Sequence, residues 1–380
     1  MPVISQHFLS RSRLMALREK AEAKRIAQQR PHVLHFFHEL DDPYSLLLAQ
    51  AIPLLQTKYS ISVLQHVVGP PEDSAVPERE KLAAYSQIDA ERLAKQYGLQ
   101  GASIPNNSAA PTHISKESLV TSHRLRKKWG HYLSGVIYYE GEWYWGIDRL
   151  YHLEQRLQDL GAQREGVAPG PMFPPGVDPN TAQPAAVRSF DFFLSLRSPY
   201  TAIVAQRVLD LAQHTGAQLN LRFLLPMAMR GLAVPRAKRM YIAWDTAREA
   251  RTRGVPFGRL LDPLGVATER GLAVLAAAMQ AGMGEAFLIS FLRGVWSEGV
   301  NASTDAGLRR LALRAGLSWA QVQDALNDEG WRASAEANRQ ALLGHGLWGV
   351  PAFRVGTQVF WGQDRLWAVQ QALLDERNAR

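Results

Sequence analysis

Phe190-Asp191-Phe192-Phe193-Leu194-Ser195-Leu196-Arg197-Ser198-Pro199-Tyr200 reads as a strand that runs directly into a helix. Apolar, β-prone side chains fill Phe190 to Leu196; Ser198 then takes the N-cap position and Pro199 the first helical position. A hydroxyl at a helix mouth, beside unpaired backbone N–H groups and the positive end of the dipole, steadies an anion. We expect that anion to be a thiolate carried by a bound cofactor, because the chain has no cysteine of its own. The ordinary alternative is that Ser-Pro simply opens a helix, as it does in many proteins.

The composition narrows the classes. A chain of 380 residues, 46% hydrophobic and 21% charged, has material for two cores and reads as a soluble globular protein. No apolar run is long enough to span a bilayer, so no membrane partner is expected. The formal net charge of +8 comes from scattered basic residues without a nucleic-acid motif. A solvated surface and a pocket for anionic small molecules account for it better than nucleic acid. The absence of cysteine excludes disulfides, thiolate metal sites and dithiol redox chemistry carried by the chain itself. The eleven histidines show no H-x-x-x-H spacing, so no metal ligands are assigned. Residues 1–30 lack the apolar core of a secretory signal and read as a charged helix; Glu19 and Glu22 argue against an organelle presequence. The expected compartment is the cytoplasm.

Read in order, Val33 to Glu39 is a strand, Asp42-Pro43-Tyr44 opens a helix that Pro53 should kink, and Ile61 to Val68 is the next strand. A helix from Glu78 ends at Gly98, a loop spans Gly101 to Thr112, and Ser115 caps a helix carrying Arg124-Leu-Arg-Lys-Lys128. Val136 to Tyr139 and Trp143 to Trp145 form a hairpin, followed by a helix from Ile147 to Leu160. Residues 163–187 are rich in Pro and Gly, without periodicity, and read as a linker.

The second half repeats the first. Ser198-Pro199-Tyr200 answers Asp42-Pro43-Tyr44 at an offset of 156 (199 − 43), and Tyr85, Asp89 and Arg92 recur at that offset as Tyr241, Asp245 and Arg248. Trp145-Gly-Ile-Asp148-Arg149-Leu150 returns as Trp361-Gly-Gln363-Asp364-Arg365-Leu366 at an offset of 216 (361 − 145). About sixty extra residues therefore lie inside the second half, and their periodicity is helical. The expected fold is α/β: two tandem thioredoxin-like domains, each β-α-β, then helices, then β-β-α, with an all-helical insertion larger in the C-terminal copy. The expected divisions are a charged extension over 1–30, a degenerate domain over 31–162, the linker over 163–187 and a second domain over 188–380.

That second domain resembles the thioredoxin-fold group containing 2-hydroxychromene-2-carboxylate isomerase and the kappa-class glutathione transferases, relatives of the DsbA oxidoreductases. The resemblance rests on Asp191-Phe-Phe…Ser198-Pro199-Tyr200, Pro235-Arg-Ala-Lys238…Tyr241…Asp245, Gly254-Val-Pro-Phe257, Trp296…Gly299, Gly349-Val350-Pro351-Ala-Phe353 and Trp361-Gly-Gln363-Asp364-Arg365-Leu366. It implies glutathione as cofactor, with Ser198 donating to the glutathione sulfur and favouring its thiolate. It makes Pro351 a cis-proline facing that sulfur and gives the main chain of Val350 the pairing with the tripeptide backbone. Asp364 takes the glutamyl ammonium, with Gln363 beside it in the binding set, and Lys238 attracts a carboxylate. Turn formation, helix capping and core packing remain the ordinary readings of Val350-Pro351, Asp364 and the tryptophans, and Lys238 reads equally as a surface lysine.

Two departures stand out. Met229 occupies the place where the family carries Asn, which leaves Arg230 as a substitute. In the first half Asp42 replaces the serine and Ile137 takes the place of the cis-proline, so that copy is expected to be without chemistry, since a carboxylate repels a thiolate. The resemblance implies that it stands in for a second subunit, an internal pseudo-dimer, with further homo-oligomerisation left open. The expected function is a glutathione-dependent isomerase or transferase acting on an electrophilic aromatic or unsaturated small acid. The alternative is a non-catalytic binding protein that uses the Val350-Pro351 edge. A thiol–disulfide oxidoreductase is excluded unless glutathione supplies the sulfur.

Overall fold

Two four-stranded sheets organise the chain. In the computed structural model, which describes residues 2–101, 116–177 and 183–375, contacts divide the protein into two compact units. One contains Arg11–Pro175 and Val234–Tyr241; the other contains Met1–Ser10, Gly176–Ala233 and Ile242–Arg380. The expected loop within residues 102–115, the Ser115 cap and residues 178–182 of the linker lie outside the described residues.

The N-terminal unit is built on β1 (His32–His38), β2 (Ile61–Val67), β3 (Val136–Tyr139) and β4 (Glu142–Trp145) in the order β2-β1-β3-β4. β1 and β2 are parallel, joined by α3 (Pro43–Lys58); β3 pairs antiparallel with both β1 and β4. The helix α3 runs through Pro53 rather than ending there, and buries Leu47, Leu48, Ala51 and Leu55 against the sheet. The helix α4 (Arg79–Tyr97) stops at Gly98, whose φ of 65° is the left-handed conformation that glycine adopts freely. The helix α5 (Lys116–Trp129) precedes β3, and α6 (Leu150–Asp159) closes the unit. The charged helix α2 (Arg11–Ala27) belongs here, tied by Arg18 to Glu142 at 2.7 Å.

The C-terminal unit repeats the sheet with β5 (Ser189–Leu194), β6 (Gln218–Phe223), β7 (Ala352–Val355) and β8 (Gln358–Trp361) in the order β6-β5-β7-β8. Its crossover helix is α7 (Pro199–Thr215), its next helix α8 (Arg236–Thr252) and its closing helix α14 (Leu366–Leu374). Between α8 and β7 lie α9 (Val266–Gln280), α10 (Gly284–Arg293), α11 (Asp305–Arg314), α12 (Trp319–Leu326) and α13 (Gly330–Gly344), the helical insertion. Their apolar faces close over Phe287, Leu288, Phe291 and Leu308, all fully buried. The short helix α1 (Pro2–Phe8) packs with this unit, Phe8 lying 4.8 Å from the ring of Trp244. The expected extension over 1–30 is thus divided between the two units at Ser10.

The register corrects one expectation. Phe37 pairs with Val136 in the first sheet and Phe193 with Ala352 in the second. Pro351 is therefore matched by Gly135, not Ile137, which corresponds to Phe353. The backbone agrees: Gly146 N donates to the Gly135 carbonyl at 2.8 Å, and Gly362 N to the Pro351 carbonyl at 2.9 Å.

Candidate functional site

The site is assembled from the chain reversals that bring α7, β7 and β8 together. Ser198 has extended backbone (φ −88°, ψ 116°), and its Oγ accepts a hydrogen bond from Thr201 N at 3.1 Å, with Pro199 pre-set for the first turn. Satisfying an N–H of the first turn uses one lone pair and leaves the hydroxyl proton free to be directed outward. It points to the Val350 carbonyl at 3.4 Å, a long contact that a better acceptor can displace. Val350-Pro351 is the chain's cis peptide bond. Pro351 is buried, while Ser198 and Val350 remain partly exposed.

The surroundings hold these groups in place. Leu196 is buried just before the turn, and its carbonyl accepts from Trp296 Nε1 at 3.1 Å. Phe257 stacks on that tryptophan with ring centroids 5.9 Å apart. Arg197 pairs with Asp262 through two nitrogens at 2.7 and 2.8 Å. Behind the helix mouth, Tyr200 donates to Asp245 at 2.7 Å and Arg248 pairs with the same carboxylate at 2.7 Å, so α7 and α8 are clamped around a buried charge. On the strand side, Trp348 and Trp361 pack with centroids 4.7 Å apart. A Cβ on Gly349 would come within 2.8 Å of Trp361 Nε1, which explains a glycine there.

The structure thus joins Ser198 to Val350-Pro351 directly, and Pro351 through Gly362 to the turn bearing Gln363 and Asp364. Gln363 itself faces inward. It is 1% exposed, donates to Glu249 at 2.9 Å and to Asp364, and accepts from Arg207 at 3.0 Å. Its side chain props the turn from behind and has no surface left for a ligand. Asp364 is partly exposed next to it. Lys238 stands apart. Its residues belong with the N-terminal unit, where Nζ donates to the Ala75 carbonyl at 2.7 Å, and burial lowers its pKa to about 8. An ammonium spent on a carbonyl and weakened by desolvation is a poor anchor for a carboxylate. Trp296, Glu249 and Arg207 were missed because their roles depend on contacts across more than a hundred residues. Their apolar or charged helical settings showed only a packed face.

The equivalent place in the N-terminal unit is different. Asp42 caps α3 and accepts from Ser45 N at 3.1 Å and from the Ser134 hydroxyl at 3.4 Å. Burial, with the charge of Glu39 beside it, raises its pKa to about 7. His38 is buried against Ser45 at 2.7 Å, and burial lowers its pKa. Among the described residues no group of three metal-ligating side chains comes together in either unit.

Sheet order, crossover helix and helical insertion define two thioredoxin-like domains, the second with a helical subdomain inserted before its last hairpin. That C-terminal half is a DsbA-like thioredoxin domain: the family model of that description matches residues 189–374. Among similar proteins, the 2-hydroxychromene-2-carboxylate isomerase of Sphingobium xenophagum is 25% identical over 198 residues, spanning 50% of this chain and 99% of the relative. The protein of the same name from Pseudomonas putida is 24% identical over 196 residues, 48% of this chain and 93% of that one. A solved structure of 2-hydroxychromene-2-carboxylate isomerase aligns over 48% of this chain and 93% of its own, with 22% identity and a TM-score of 0.41.

Proposed function

We propose that the C-terminal unit is a glutathione-dependent isomerase or transferase acting on an electrophilic aromatic or unsaturated small acid. The observation that carries this reading is the Ser198 hydroxyl, fixed at the mouth of α7 and aimed at Val350-Pro351 with only a long contact to satisfy its proton. A thiol lying between them receives that proton in a hydrogen bond and faces the first N–H groups of α7. Both favour the thiolate, as a helix N-terminus and a hydrogen-bond donor do for reactive thiols elsewhere. The thiol's own proton leaves to solvent. The sulfur pair then forms a bond to an electrophilic carbon, and the electrons of the conjugated double bond move onto the substrate's carbonyl. Rotation about the new single bond and expulsion of the thiolate give an isomer; retention of the bond and protonation of the carbon give a conjugate.

Val350 supplies the main-chain edge for the tripeptide and Asp364 the partner for its ammonium. Lys238 and Gln363 are left out, because both side chains are spent elsewhere. The kinship with proteins named 2-hydroxychromene-2-carboxylate isomerase supports the isomerase branch. Reduced glutathione as cofactor fits a reducing compartment, the cytoplasm, and among the described residues no helix is long and apolar enough to cross a membrane. We read the matching sheets as a tandem duplication whose N-terminal copy lacks the thiolate site.

Ultraviolet difference absorption of glutathione with the protein across pH tests the reading. The bound thiol should ionise below its ordinary pKa of about 8.5, and Ser198→Ala should return it toward that value. If glutathione gives no binding signal by this method or by calorimetry, the unit is instead a binding module that uses its Val350-Pro351 edge.

A further inference from the structure

A half-open cavity of about 220 Å³ lies in the N-terminal unit, where α2, β1, the end of α5 and the end of β3 meet. Nothing in the reaction proposed above uses it, and all its lining residues fall within one unit. Its floor is aromatic. Trp129 stacks on Tyr138 with ring centroids 4.4 Å apart, and His35 meets Trp129 edge-on at 4.9 Å. His35 is locked by a hydrogen bond between its Nδ1 and His66 Nε2 at 3.0 Å, and the two imidazoles stack. Burial lowers the pKa of both rings, so the floor is uncharged at neutral pH.

The rim carries the charge. Arg30 binds Glu140 at 2.6 Å and Gln28 at 2.9 Å, which cancels the acidic group. Lys24, exposed on α2, has no acidic partner among the described residues. Two cations therefore face one carboxylate across an aromatic shelf, and the balance is positive. Trp129 and Tyr138 are only partly buried, so a ring placed over them removes apolar surface from water and meets a π face. The volume is below the roughly 300 Å³ at which pockets for drug-sized ligands begin, which suits one or two fused rings.

We propose that this cavity is a second ligand site, for a small planar aromatic anion whose ring lies on the Trp129–Tyr138 floor and whose acid group meets Lys24. The aromatic floor selects flatness and the rim selects sign.

Calorimetric titration of the full chain with 2-naphthoate tests it, against 2-naphthylmethanol (same rings, no charge) and cyclohexanecarboxylate (same charge, no aromatic ring). Naphthoate should bind at least tenfold more tightly than either. Lys24→Glu, on an exposed helical position that leaves the fold intact by circular dichroism, should weaken it at least tenfold. Trp129→Leu should do the same, and Ser198→Ala should leave it unchanged. The proposal is overturned if naphthoate gives no heat, if the three probes bind alike, or if binding survives Lys24→Glu. Loss on Ser198→Ala would move the anion to the C-terminal site and overturn it as well.

Discussion

The mouths of α3 and α7 are built to one plan and end in different chemistry. Asp42 and Ser198 have the same backbone angles within a degree, and each accepts from the N–H three residues on at 3.1 Å. Behind them the same clamp recurs: Tyr44 and Arg92 on Asp89 at 2.9 and 3.1 Å, Tyr200 and Arg248 on Asp245, both at 2.7 Å. What differs is the pair of residues facing the cap. Opposite Ser198 stands Val350-Pro351, whose proline has no N–H to give the neighbouring strand. Opposite Asp42 stand Ser134, which donates to the carboxyl, and Gly135, which donates to the Phe37 carbonyl at 3.0 Å. The N-terminal cap is satisfied by its own strand, while the C-terminal cap keeps a proton to offer. The scaffold is thus separable from the chemistry, and two positions in each unit decide which it has.

The clamp gives the largest effect. Asp245 and Asp89 are buried carboxylates, each holding an arginine and a tyrosine. Removing one partner of such a pair leaves a charge without compensation and costs about 3–5 kcal/mol. Asp245→Ala and Asp89→Ala should each lower the midpoint of urea unfolding of their own unit by a matching amount. A large loss from one and none from the other would show that the repeated geometry is not repeated energetics.

The pH response of the N-terminal unit comes next. The folded-state pKa of Asp42, about 7, stands above its ordinary value of 3.8. Between these values the native unit binds more protons than the unfolded chain, so its stability falls as pH rises through the window. A shift of that size is worth on the order of 4 kcal/mol. Asp42→Asn keeps a capping oxygen but cannot ionise. It should remove most of the slope between pH 4 and 8 in denaturation of that unit and raise its stability at the alkaline end. A slope that survives in Asp42→Asn would assign the response to Glu39 or His38, whose pKa values burial also displaces.

Exchanging the caps then tests the chemistry. Ser198→Asp places a carboxylate where the proposed thiolate sits, and glutathione binding should weaken by about ten- to a hundredfold at neutral pH through like-charge repulsion. The loss should shrink as pH falls and the new carboxyl protonates. Unchanged binding measured by calorimetry would mean that the tripeptide does not approach the mouth of α7.

Much of this design was legible in the residues. The apolar run ending in Ser198-Pro199 marked strand and helix because each uses a strong local rule, and the offsets of 156 and 216 coincide with the strand pairings of the folded chain. The misplacement of the proline's counterpart has a simple cause. Ile137 and Gly135 lie two positions apart on one strand, and a slip of two keeps every side chain on its face, so the hydrophobic pattern cannot detect it. Gln363 reads as a polar turn residue until Glu249 and Arg207 are seen to enclose it. Lys238 opens a helix whose first residues pack with the other unit, which no periodicity announces. The cavity over Trp129 draws on four separate elements, and no one of them carries its signature.

Gly135 offers the smallest and most specific test. Its φ of 61° lies where side-chain-bearing residues are strained by about 1–2 kcal/mol. A Cβ there would also come within 3.1 Å of both Asp42 Oδ2 and Ser45 N. The position tolerates only glycine because the strand has closed onto its own cap, whereas Pro351 fills the matching place with a ring. Gly135→Ala should therefore destabilise the N-terminal unit by about 1–2 kcal/mol, read from urea unfolding. Combined with Asp42→Ser, which replaces the nearer carboxyl by a shorter group, the steric part of that loss should shrink and leave the backbone strain. If the two changes simply add, the cap and the strand are not in contact, and the self-closure of this unit is wrong.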